Sequence, residues 1–197
     1  MRHASARRAF TAILISSAAS LAGWSAPAAP VDRWQWLQNT YWYVPAQYLP
    51  AVASNPSFRS PILVSDQTVY RIDHYTGGYF WGITAVSYTR AESSAASAPA
   101  CLQLDGSVTP EGQLHLTYTL LPTGGEATSG STPTIGLGTM TPKQGAWSME
   151  NQMSTVAAGS ILLTHWAYMY QCKPAERCFA DLPGVALSIP EFLAPCL

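Results

Sequence analysis

The chain has 197 residues, 48% of them hydrophobic and 11% charged, with ten basic and eleven acidic side chains. A near-neutral chain without a basic stripe is no partner for a phosphate backbone, which argues against nucleic acid, and the length is one domain's worth of core. Seven Trp and ten Tyr beside so few charges suit an exported β-protein whose wide side chains pack on pleated surfaces.

Residues 1–10 are basic, residues 9–22 are apolar, and the stretch closes on the small residues Ala26-Pro27-Ala28. This order predicts a secretory signal peptide over 1–28 and a single mature domain over 29–197, periplasmic or secreted. Arg7-Arg8-Ala9-Phe10 is similar to the core of twin-arginine leaders, so either export route fits. The apolar core is about fourteen residues, too short for a membrane span, and cleavage is expected. No cysteine precedes Cys101, so no lipid-modified cysteine can head the mature chain, which is expected to be soluble and not membrane-spanning. Arg2, Arg7 and Arg8 leave with the leader, which takes the net charge to near −4.

Strand signals then recur with turn chemistry between them. Residues 40–44 (TYWYV) form the first, ended by Pro45 and followed by a proline-bounded loop to about Pro61. Residues 67–74 and 79–90 read as a hairpin turned at Tyr75-Thr76-Gly77-Gly78, and residues 91–100 as a Ser/Ala-rich surface linker. Residues 113–121 alternate Leu114, Leu116, Tyr118 and Leu120 with polar neighbours, a strand with one buried face. Thr109-Pro110-Glu111-Gly112 before it has the preferences of a type I turn, which makes residues 101–105 its partner strand. After a Gly/Ser/Thr loop over 124–133, residues 134–140 and 146–153 flank a third hairpin turn at 141–145. Residues 160–171 are apolar on both faces, as in a central strand, and the tail from Phe179 is broken by prolines.

All four cysteines lie in the exported part, and an even count in an oxidising compartment predicts two disulfides. Cys172 and Cys178 enclose a short loop containing Pro174 and pair locally, which leaves Cys101 for Cys196.

About eight sequential strands joined by hairpins predict an all-β, antiparallel up-and-down barrel, since closure removes both sheet edges. Leu37-Gln38-Asn39-Thr40-Tyr41-Trp42-Tyr43 resembles the opening motif of lipocalins and their calycin relatives, with Asn39 in place of the usual glycine and Trp42 one residue late. The resemblance implies that a first-strand Trp plugs one end of the barrel and that a small apolar or amphipathic molecule binds inside, without catalysis. Tyr70, Trp81, Trp166 and Tyr168, with Met169, are the expected ligand-binding lining. The same aromatics on an exposed sheet would instead stack on sugar rings, and a flat platform and a lined interior look alike in sequence.

His74, His115 and His165 come from separate strands without paired spacing, so no metal site is expected: His115 is read as solvated, His74 as capping a strand, His165 as a hydrogen-bonded core residue. Asp66, Asp105, Glu111 and Glu150 fall at turns or on polar faces, where solvated carboxylates belong. Asp73 and His74 point to opposite faces of one strand and cannot form a dyad. No nucleophile elbow, zinc-protease or phosphate-loop motif is present and no cofactor is expected. An extracytoplasmic hydrolase acting on envelope polymers, and an inhibitor or adhesin presenting residues 48–58 to a protein, are the alternatives.

Overall fold

A computed structural model describes residues 32–90, 99–121, 133–143, 145–157 and 161–197. The leader expected over 1–28, residues 91–98 of the Ser/Ala stretch and residues 124–132 of the Gly/Ser/Thr loop lie outside them. Eight strands follow in order: β1 (Thr40–Asn55), β2 (Phe58–Thr76), β3 (Tyr79–Arg90), β4 (Ala100–Val108), β5 (Gln113–Leu120), β6 (Thr134–Lys143), β7 (Ala146–Ala157) and β8 (Ile161–Cys172). Each pairs antiparallel with the next and β8 returns to β1, closing the predicted up-and-down barrel.

The turns behave as their chemistry dictates. Gly77 and Gly78 carry φ of +55° and +90° between β2 and β3, a left-handed backbone that glycine adopts at no steric cost. Gly112 N–H donates to the Thr109 carbonyl at 2.8 Å, closing the turn between β4 and β5.

β1 and β2 are longer than their prolines predict. β1 runs through Pro45 and Pro50 to Asn55, and β2 begins at Phe58 rather than after Pro61. The β1–β2 register shifts between Val44 and Gln47, a bulge that absorbs Pro45, and the Gln67 side chain donates to the buried Val44 carbonyl at 2.6 Å. On its other side β1 pairs with β8 at Tyr41–Tyr43 and again at Ala51–Ser54, with the ladder broken between Tyr43 and Ala51. Both prolines sit in that break, where no ladder donor is required of them. The C-terminal segment reaches this stretch, Ala46 N–H donating to the Pro183 carbonyl at 3.2 Å.

β8 is also not buried on both faces. Leu163, His165, Ala167 and Met169 are buried, while Trp166 and Tyr170 on the alternate face are 47% and 38% exposed. The tail after β8 forms two short helices the prolines conceal, α1 (Arg177–Ala180) and α2 (Ile189–Leu193). Pro190 lies in the first turn of α2, where a missing N–H costs nothing, and Ser188 with Glu191 completes a capping box.

The interior core comes from alternate residues of every strand, among them Tyr70, Leu104, Leu116, Met149 and Met169. A second cluster forms outside, where Leu182, Ile189, Phe192 and Leu193 cover Val69 and Ala85 on the outer face of β2 and β3. Cys101–Cys196 bolts this segment to β4 and Cys172–Cys178 braces its start, the pairing expected from sequence.

Candidate functional site: a polar layer inside the barrel

One end of the barrel is closed by tryptophan. Trp34 stands edge-on to Trp147 with ring centroids 5.0 Å apart, and Trp36 lies 6.1 Å from both Trp42 and Trp147. Trp34 Nε1 donates to the Thr109 carbonyl at 2.8 Å, fixing the 3-10 turn Gln35–Leu37 over the β4–β5 turn, and Trp42 is fully buried beneath. Asn39, with φ of +59°, makes the bend between that turn and β1. The opposite end is framed by small or branched residues, Ala51, Ala53, Val64 and Leu163.

Between plug and far end lies a polar layer. Asp66, Thr68 and Tyr70 alternate along the inner face of β2, and Tyr88 of β3 stands opposite Asp66 in register. Tyr70 Oη lies 2.5 Å from Tyr118 Oη on β5, and Tyr118 donates to Met153 Sδ at 3.8 Å on β7. Tyr88 Oη meets His165 Nε2 on β8 at 3.0 Å, and His165 Nδ1 meets the Trp166 carbonyl at 3.1 Å. Five strands thus converge on one level of the interior.

Hydrogen-bond direction can be traced. A thioether only accepts, so the Tyr118 proton points at Met153 and Tyr70 must be the donor to Tyr118. A carbonyl only accepts, so a neutral His165 ring carries its proton on Nδ1 and takes the Tyr88 proton on Nε2. Thr68 donates to Asp66 Oδ1 at 2.6 Å. The layer therefore spends its protons on its own members.

Burial drives the Asp66 carboxyl above its usual range, against the opposing pull of the Thr68 hydrogen bond and nearby His165. Burial also raises the Tyr70, Tyr88 and Tyr118 hydroxyls, and the Asp66 charge adds to each. Thr84 Oγ1, on the residue paired with Tyr70, and both amide atoms of Asn151 are buried without a hydrogen-bond partner among the described residues. Gly138 makes room for Asn151, since a Cβ there would stand 2.3 Å from Asn151 Oδ1. Buried polar atoms lacking partners are rare in folded proteins and mark places where something else supplies the bond.

The expected lining divides. Tyr70 and Met169 are inside, but Trp81, Trp166 and Tyr168 lie on the outer surface, because strand alternation puts them opposite Phe80, Ala167 and Met169. Trp81 stacks on exposed His74 at 5.0 Å, and Trp166 stacks on Tyr168 at 6.3 Å. The three histidines do not converge: His115 is exposed on β5, His74 is outside, and His165 is the hydrogen-bonded core residue expected. Asp66 corrects the reading of its carboxylate as solvated, being 1% exposed, whereas Asp105 and Glu111 are exposed and Glu150 pairs with Lys143 at 2.6 Å. Its period-two relation to Val64, Tyr70 and Ile72 was the available signal.

Two disulfides fit an oxidising compartment, and among the described residues no helix is long and apolar enough to cross a membrane. No family model, curated protein or solved structure matches the chain.

Proposed function

We propose that the protein is an exported, lipocalin-like barrel that binds a small amphipathic molecule in its interior without chemistry. The observation that carries this reading is the buried polar layer whose Thr84 and Asn151 atoms have no partner among the described residues, between an apolar floor above the tryptophan plug and the small side chains at the far end. The lipocalin resemblance gains support from Asn39, whose positive φ performs the service of the usual glycine, and from Trp42 buried at the plugged end. Two disulfides and the leader read over 1–28 support export. Native mass spectrometry of the oxidised protein from its own host tests the reading: a discrete excess mass lost on denaturation is expected. The bare mass, with no binding of small amphiphiles added afterwards, would return the interior to ordinary packing.

A second reading rests on the outer face. Trp166, 47% exposed, and Tyr168 offer adjacent ring faces beside Lys143, the kind of platform on which sugar rings stack. Retention on immobilised polysaccharide, lost in Trp166→Ala but kept in Asp66→Asn, would favour that surface over the interior.

A further inference from the structure

We infer that the interior ligand is an amphipathic amine, its ammonium group held by the Asp66 carboxylate in the polar layer that Tyr70 also lines. This rests on the interior-binding reading and names the chemistry it selects. Tyr70 donates its proton to Tyr118, and Tyr118 donates to Met153, so what Tyr70 presents is an oxygen lone pair. Asp66, two turns of the pleat away on the same face of β2, accepts one bond from Thr68 and keeps the rest of its acceptor capacity. Besides the Asn151 amide nitrogen, a donor, the groups left over can all accept: Asp66, Tyr70, the Thr84 hydroxyl and the Asn151 amide oxygen, which together match a ligand rich in donors. An ammonium group has three N–H donors and no acceptor, and brings a full positive charge to a carboxyl that has no buried lysine or arginine beside it.

The charge inventory points the same way. Among the described buried side chains Asp66 and His165 are the only titratable groups besides tyrosines and cysteines, and no lysine or arginine joins them. An anionic headgroup would meet a carboxyl and no buried lysine or arginine, whereas an ammonium meets its counter-ion in a layer that also holds tyrosine rings. Tyr70 and Tyr118 stand with centroids 5.7 Å apart, tilted by 45°, and bring two aromatic rings to the layer. Ala51, Ala53, Val64 and Leu163, toward the far end, would take the apolar tail.

Titration of the oxidised protein at neutral pH with octylamine, octan-1-ol and octanoate, matched in chain length and followed by calorimetry, separates the possibilities. The amine should bind at least about ten-fold more tightly than either other probe, and Asp66→Asn should remove that preference over the alcohol. The ranking of the three probes on the unsubstituted protein needs no variant, so a failure of Asp66→Asn to fold would not remove the test. Equal or tighter binding of the alcohol or the octanoate overturns the amine assignment and leaves interior binding standing. Binding of none of the three overturns both.

Discussion

Asp66 is the residue on which the interior's chemistry and its stability pull in opposite directions. Its carboxyl is pushed up by burial, so in the folded protein it titrates above the ordinary unfolded value of about 3.9. Stability from this group is fully present below the unfolded value and is lost as pH rises through the folded one, with His165, Tyr70, Tyr88 and Tyr118 as the titratable neighbours. Asp66→Asn, which keeps the acceptor for Thr68, should therefore stabilise the ligand-free barrel at pH 7 by on the order of 1 kcal/mol, with the gain vanishing near pH 4. Urea unfolding of both proteins at the two pH values reads this directly. Asn39 gives a second residue-scale expectation. Asn39→Gly should be tolerated, while Asn39→Val should lose about 1–2 kcal/mol because a branched side chain resists positive φ. His165 was readable in the sequence as a core histidine because apolar residues share its face. Asp66 was missed because it falls just before the strand expected over residues 67–74, so its period-two relation to Tyr70 and Ile72 counts only once β2 is known to start at Phe58.

At the scale of elements, short-range chemistry was legible and its interruptions were not. The β2–β3, β4–β5 and β6–β7 hairpins announce themselves through glycine and proline at fixed turn positions. Pro45 and Pro50 announce an end to β1 that does not occur, because the missing N–H groups fall where β8 makes no ladder. Trp166, Tyr168 and Tyr170 are read as buried from hydrophobicity alone, yet Trp166 and Tyr170 stay well exposed, and the outer aromatics rest on one another and on Lys143. The two bridges differ in how much chain they restrain. Cys101–Cys196 spans 95 residues and Cys172–Cys178 spans 6, so replacing the first pair by alanine should cost roughly 4 kcal/mol and the second roughly 2. Guanidinium unfolding of the two double variants should rank them in that order, and the reverse order would mean that the short bridge holds more than its own loop.

For the molecule as a whole, closure was legible because every strand pairs with its chain neighbour, and the seam between first and last follows once no edge is left open. Its contents were less so, as alternation fixes which residues share a face but not which face turns inward. The interior tyrosines offer a global readout. Tyr70, Tyr88 and Tyr118 have hydroxyls raised by burial, so their contribution to stability holds below about pH 10, the unfolded value, and fades above it. Ultraviolet titration should show these three ionising together with the loss of near-ultraviolet dichroism rather than as independent groups. Their smooth ionisation in a still-folded barrel would show the layer to be wet.

The broken ladder between β1 and β8 has a mechanical meaning. Seven of the eight strand contacts join chain neighbours, and the eighth, the one that makes the cylinder, is also the one whose rungs are missing between Tyr43 and Ala51. In its place a single bond from Ala46 to Pro183 laces the wall to the tail. Amide exchange along residues 166–169 should outpace that of the matching stretch of β7, and the cylinder should unzip first along this line. A guest could then slip in sideways, through a slit in the staves, and the tail that laces it would be the latch.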